Sequence, residues 1–152
     1  MASLILCLYN ILANLLVWPL CLLVRKHPNF KGTLRLRLSL GLPPRPHGEL
    51  FWFHSASLGE VKAVAGLITA LKARRPDFAI VLSTMTATGT QAARSIAGVN
   101  LILPFPFDLA WVMRRYLRYL APRSLVIVET EIWPNLLMQA QKAGVRTLFI
   151  NA

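Results

Sequence analysis

The stretch Leu50-Phe51-Trp52-Phe53-His54-Ser55-Ala56-Ser57-Leu58-Gly59-Glu60 joins an apolar run of strand type to a loop of small residues and the first turn of a helix. The helical spacing continues to Arg74. Val61, Val64, Leu67, Ile68 and Leu71 fall on one face, while Lys62, Lys72, Arg74 and Arg75 lie elsewhere, and Pro76 ends the helix.

Downstream the same unit recurs. Residues 78 to 83, 100 to 103, 124 to 129 and 146 to 151 read as strands. Residues 88 to 96, 109 to 120 and 134 to 143 read as helices, the last with Pro134 at its start and Gly144 just past its end. Alternation of this kind predicts an α/β fold, a Rossmann-like parallel sheet with helical crossovers on both faces. The nearly unbroken apolar fourth and fifth strands predict burial on both sides. Ligands of such sheets bind beyond the carboxyl ends of the strands. Those ends are His54-Ser55, Ser83-Thr84, Pro104, Glu129 and Asn151.

Upstream, residues 3 to 24 are apolar and uncharged, long enough to cross a hydrocarbon core of about 30 Å. No Lys or Arg precedes them, and Arg25 and Lys26 follow at once. A cleaved signal peptide has its charges the other way round, so the segment reads as a retained transmembrane or membrane-anchoring helix. Asn10, Asn14 and Pro19 leave a buried or interfacial helix open. The positive-inside rule places the rest of the chain in the cytoplasm. Residues 27 to 49 form a basic linker rich in Pro and Gly. Within it, residues 34 to 40 alternate Leu with Arg and Ser, which suits either a short strand or a basic segment lying on the membrane. The expected organisation is an anchor over 1 to 26, this linker, and one α/β domain over 50 to 152.

Seventeen Lys and Arg against six Asp and Glu give a net charge of +11. Basic residues on both sides of residue 50 suit a surface held against anionic lipid. Nucleic acid is the usual rival for such a charge, but these residues are scattered and no nucleic-acid module is present. Cys7 and Cys21 both lie in the apolar segment. They offer no metal-ligand spacing, and a cytoplasmic domain does not rely on disulfides. No nucleophile elbow or GxGxxG occurs, so hydrolase and dinucleotide readings are weak, and no metal or cofactor is expected.

Three strand-to-helix turns carry polar residues. Ser57 and Glu60 have the spacing of a capping box. An ionised carboxylate in the first turn of a helix, at the mouth of a parallel sheet, can also take a proton from a hydroxyl nucleophile. In Val128-Glu129-Thr130-Glu131-Ile132-Trp133-Pro134-Asn135, two carboxylates follow a buried strand. Burial and like charge would raise a pKa there. Glu131 could also simply favour the start of the next helix, Trp133 reads as core and Asn135 as a polar contact in the cleft. In Ser83-Thr84-Met85-Thr86-Ala87-Thr88-Gly89-Thr90, hydroxyls and helix amides could hold a phosphate or sugar, or Thr86 or Thr88 could cap the helix. His54 is either a cleft contact or structural.

Taken together and in order, these motifs, with residues 104 to 108 and Asn151-Ala152, resemble the N-terminal domain of the 3-deoxy-D-manno-octulosonic acid (Kdo) transferases. The resemblance implies the N-terminal half of a GT-B fold. It implies metal-independent, inverting transfer of Kdo from CMP-Kdo to a lipid A precursor, in lipopolysaccharide biosynthesis at the inner face of the bacterial inner membrane. It assigns Glu60 as catalytic base and Glu129 to transition-state stabilisation. It also implies substrate contacts at His54, Ser55, Ser57, Gly59, Thr84, Thr86, Thr88, Gly89, Glu131 and Asn135. The donor-binding C-terminal domain is expected to lie outside this chain. The rival reading is a non-catalytic membrane-bound module that binds lipid A, or an inactive fragment. The family's Gly-Glu-Arg-like linker segment is not matched, because residues 36 to 42 lack the glutamate.

Overall fold

A computed structural model describes residues 2–129 and 131–150, with the side chains of Ala2 and Ser3 left aside. Two helices come first, α1 (Ala2–Val24) and the single turn α2 (Leu34–Arg37). Then strands and helices alternate: β1 (Leu50–His54), α3 (Leu58–Arg74), β2 (Ala79–Thr84), α4 (Ala87–Ala93), β3 (Leu101–Pro104), α5 (Ala110–Leu120), β4 (Ser124–Val128), α6 (Pro134–Lys142) and β5 (Arg146–Ile150). The strands form one parallel sheet in the order β3-β2-β1-β4-β5.

Strand side chains alternate between faces, and each face has its own core. Phe53, Ile80, Leu82, Val126 and Val128 pack against Val61, Val64 and Ile68 of α3 and Ala93 of α4. On the other face Trp52, Val81, Leu103, Leu125 and Ile127 meet Met113, Tyr116, Leu117 and Leu120 of α5 and Leu136 and Ala140 of α6. The chain winds out from β1 through β2 to β3, then returns through β4 to β5. Right-handed crossovers therefore put the two helix pairs on opposite sides.

The structure departs from the sequence reading in four places. Leu67 is 47% exposed, because the buried stripe of α3 runs through Val61, Val64 and Ile68 and Leu67 falls at its margin. Helix α4 stops at Ala93 rather than 96, where the Arg94 amide bonds to Gln91 O and the Ser95 hydroxyl to Ala92 O. Residues 34 to 37 are helical rather than a strand: the Arg37 and Leu38 amides close a turn onto Thr33 O and Leu34 O, and Arg37 is buried. Finally, β5 is not buried on both sides. As the edge strand it leaves Leu148 and Phe149 about half exposed, whereas every residue of β4 is buried.

Helix α1 spans 23 residues, about 35 Å, and is long and apolar enough to cross a membrane. It is not free of the domain. Ala13, Val17 and Cys21, at helical i, i+4 spacing, pack with Leu38, Leu109, Val112 and Trp111. Asn14 Oδ1 accepts from Trp111 Nε1 at 3.1 Å. The opposite face, with Leu4, Leu12, Leu15, Leu22 and Leu23, is exposed.

One turn earlier, the Tyr9 hydroxyl donates to Asp108 Oδ2 at 2.9 Å. The same carboxylate accepts from the Asn135 amide at 3.0 Å and the Leu136 amide at 2.9 Å. It thereby caps α6, whose own cap residue, Trp133, has no side-chain acceptor to offer. Burial raises the pKa of Asp108, and these donors pull against that shift. Asp108→Ala leaves two buried amides unpaired and is expected to cost about 3 kcal/mol of stability, with Tyr9→Phe costing about 1 kcal/mol or less. Urea unfolding of the detergent-solubilised chain measures both.

Candidate active site at the carboxyl edge of the sheet

Strand order reverses between β1 and β4, which places a ligand crevice beyond their carboxyl ends. The loop after β1 is shaped by the cap of α3. Ser57 Oγ accepts from the Glu60 amide at 3.3 Å and donates to Glu60 Oε1 at 2.8 Å. Glu60 Oε2 accepts from the Ala56 amide at 2.6 Å. In the usual capping box the carboxylate returns to the cap residue's own amide; here it reaches one residue further back. Both oxygens are thus fixed, yet each keeps a lone pair, so the half-buried carboxylate can still accept a proton. Gly59 is exposed in the same turn.

The loop after β4 holds the other two carboxylates. Glu129 has φ 63°, a left-handed conformation that non-glycine residues adopt rarely and that gathers at functional sites. Its amide donates to Ile150 O at 2.8 Å, which ties the turn to β5. Thr130 lies outside the described residues, as do Asn151 and Ala152. Glu131 Oε2 accepts from Trp133 Nε1 at 2.9 Å and lies 3.2 Å from His54 Nε2. His54 is fully buried, and its ring stacks on Phe105 with centroids 3.8 Å apart. Nε2 faces Glu131, and Nδ1 lies 3.0 Å from Ser83 Oγ and 3.2 Å from Ser83 O, so the ring is held from both sides. Ser83 Oγ in turn accepts from Trp52 Nε1 at 2.8 Å. His54 is linked to the loop after β4 through Glu131, and Trp133 is half-buried, packing on the edge of the core against Phe105.

In the threonine-rich turn, Thr86 caps α4 by accepting from the Gly89 amide at 3.0 Å, while the Thr84 and Thr90 hydroxyls bond to each other at 2.6 Å. Thr88 is exposed, its hydroxyl 3.3 Å from that of Thr86. Gly89 is buried where a Cβ would stand 2.9 Å from Thr86 Oγ1 and 3.5 Å from the Ser57 backbone, so this turn packs directly on the Glu60 loop. Ser55 is buried, and among the described residues its hydroxyl has no hydrogen-bond partner. Asn135 is not at the cleft surface. It is fully buried, and its Nδ2 donates to Asp108 O at 2.6 Å.

The structure thus brings Glu60, Glu129, Glu131, His54, Ser55 and the threonine turn to one edge, with His54, Ser55, Thr84 and Gly89 buried beneath its surface, and turns Asn135 toward Asp108 in the interior. Sequence reading placed Ser83 only among the turn hydroxyls, Asp108 only at the end of the 104 to 108 motif and Arg37 only in the basic linker, and gave none of them its structural partner. Ser83 and Asp108 each stood at the end of a recognised run, but no local signal showed which distant groups they would meet.

A doubly wound α/β domain of this kind binds its ligands at the switch point, where these carboxylates stand. The family model described as 3-deoxy-D-manno-octulosonic-acid transferase (kdotransferase) matches residues 33–152, and the chain belongs to that family. It is 32% identical over 109 residues to a probable 3-deoxy-D-manno-octulosonic acid transferase, mitochondrial, of Arabidopsis thaliana, covering 71% of this chain and 24% of that one. It is 29% identical over 133 residues to the 3-deoxy-D-manno-octulosonic acid transferase of Haemophilus influenzae, covering 86% and 31%. Against that of Bordetella pertussis it is 33% identical over 115 residues, covering 72% and 26%. The chain thus spans about a quarter to a third of the length of the curated relatives it matches.

The hydrogen bond from His54 lowers the pKa of Glu131 below the carboxylate's ordinary 4.5, with Trp133 assisting and burial opposing. A depressed folded-state pKa stabilises the protein above the unfolded value and is lost as pH falls through the folded one. Glu131→Gln is therefore expected to be less stable than the parent at neutral pH, with the two curves converging at the acid end. Urea unfolding across a pH series reads this directly.

Proposed function

We propose that this chain is the acceptor side of a GT-B glycosyltransferase that moves Kdo from CMP-Kdo to a lipid A precursor in lipopolysaccharide biosynthesis. The observation that carries the reading is Glu60, held by Ser57 and Ala56 at the switch-point edge in a chain of the Kdo transferase family. In this reading Glu60 takes the proton of the acceptor hydroxyl as its oxygen attacks the anomeric carbon of Kdo. The bond from that carbon to the CMP phosphate breaks on the opposite face, which inverts the centre. Glu129 stabilises the positive charge that develops on the sugar ring. Glu131, set by His54 and Trp133, is a positioning or substrate-binding group, and Ser55, Ser57, Gly59 and the Thr84 to Gly89 turn line the acceptor path. No step calls for a metal.

The division into an anchor over 1 to 26, a linker over 27 to 49 and a catalytic half over 50 to 152 belongs to the same proposal. So do the bacterial inner membrane and the cytoplasmic placement of the domain, the latter supported by Arg25 and Lys26 directly after the apolar segment. Because α1 packs on the domain from Tyr9 to Cys21, the docked helix is suited to lying in the membrane interface with its leucine face in lipid. A spanning helix would have to give up those contacts. Anchoring confines the search for a lipid acceptor to two dimensions.

The test is transfer of labelled Kdo from CMP-Kdo to a lipid A precursor, with this chain alone and with a separately supplied family C-terminal domain. Glu60→Gln keeps one oxygen for the Ala56 amide and turns its NH2 group toward Ser57 Oγ, but loses the base. It is expected to lower transfer at least about 100-fold, with stability within about 1 kcal/mol of the parent. Near-normal turnover would remove Glu60 from the role of base. Acceptor binding without transfer in any combination would leave a binding module.

A further inference from the structure

A cavity of about 340 Å³ lies between the linker and α4, and Asn29, Lys31, Arg37, Thr90, Gln91 and Arg94 contribute to its wall. Its least expected member is Arg37, only 3% exposed. The guanidinium donates to Phe105 O at 2.8 Å, Met85 O at 2.9 Å, Asn29 O at 3.0 Å and Thr33 Oγ1 at 3.2 Å, and its carbon stands 4.8 Å from the centre of the Phe30 ring. Four of its five donors are used, and every acceptor is neutral. Burial lowers its pKa to about 10, so it stays charged at neutral pH. Among the described residues no carboxylate forms an ion pair with it, nor with Lys31 or Arg94, both of which are exposed at the mouth.

A buried cation held only by neutral dipoles is costly to keep, and a counter-anion would offset that cost. The walls are fixed in advance. Asn29 Oδ1 accepts from the Ala87 amide at 3.0 Å, while Arg37 donates to Met85 O and Phe105 O, so the linker is fastened to the domain through both residues. The cavity also adjoins the candidate site, because Thr90 lines it while the neighbouring Gly89 packs on Ser57, the cap of the helix that carries Glu60.

We propose that this cavity is an anion subsite that takes a phosphate monoester borne by the sugar acceptor, with Arg37 at its floor and Lys31 and Arg94 closing over the phosphate oxygens. The proposal rests on reading the chain as the acceptor side of the transferase. Lys and Arg pair with phosphate through charge-assisted bonds; Arg37 has one N–H left to offer, and Arg94 can engage bidentately. Such a subsite would set which end of a phosphorylated lipid faces Glu60.

The experiment leaves Arg37 in place, since its loss would unpair three carbonyls, and uses the double variant Lys31→Ala/Arg94→Ala in the whole chain. One arm titrates inorganic phosphate into the detergent-solubilised protein and follows it by calorimetry. The other measures co-sedimentation with phosphatidylcholine vesicles carrying either a phosphorylated disaccharide lipid or its dephosphorylated form. Arg114→Ala/Arg118→Ala, on a separate surface pocket, serves as the charge control. The parent and the control are expected to prefer the phosphorylated lipid, and Lys31→Ala/Arg94→Ala to lose that preference about tenfold or more. A preference that survives in the double variant overturns the subsite and leaves the acceptor reading intact. Phosphate binding that the double variant abolishes, without any preference among lipids, supports an anion site and overturns the acceptor reading. Loss of preference to the same extent in the Arg114/Arg118 control shows a general charge effect and overturns the subsite.

Discussion

The carboxylate of Asp108 connects parts of the chain that sequence keeps far apart. It accepts from Tyr9 in the apolar helix and from the first amides of α6. A helix beginning at Trp133-Pro134 has no cap of its own, so its orphan amides and positive end require an acceptor brought from elsewhere. By fixing the start of α6, Asp108 also fixes where the chain from Glu131 to Trp133 must end. That segment delivers Glu131 to His54. One buried acceptor thereby couples the apolar N-terminal helix to the loop that carries two of the site's carboxylates.

The polar row along the carboxyl edge works by satisfying each member internally. Trp52 donates to Ser83, Ser83 engages His54, and His54 and Trp133 both serve Glu131. Buried polar groups linked in this way cost little and hold their rotamers. Only the last carboxylate approaches the crevice. Glu60 is fixed differently, by a cap local to its own helix. The edge therefore combines one carboxylate positioned by local backbone geometry with another positioned by a relay through the sheet.

The two basic features of the linker end in opposite circumstances. Arg35 is exposed, whereas Arg37, two residues on, is interior and surrounded by carbonyls. The alternation of Leu and Arg suggested a strand period, but a helical turn places consecutive residues about 100° apart and turned Arg37 inward. Similarly, the apolar letters of β4 and β5 look alike. Burial separates them, because β4 has neighbours on both sides while β5 is the sheet's edge.

The sequence by itself determined the alternation of strand and helix, the starts and stops of most elements, the Ser57 cap of α3 and the apolar helix at the N-terminus. All of these follow from periodicity, Pro and Gly placement and side chains within one helical turn of each other. Only the tertiary structure decided which polar groups became partners. His54 and Glu131 are 77 residues apart, Tyr9 and Asp108 are 99 apart, and Arg37 finds carbonyls 48 and 68 residues away. Asn135 read as a cleft residue because it follows a catalytic-looking motif, yet the cap supplied by Asp108 draws it inside. Local pattern specifies backbone conformation through short-range sterics and hydrogen bonds. The pairing of distant charges and acceptors depends on strand order, which fixes their neighbours only once the sheet has closed.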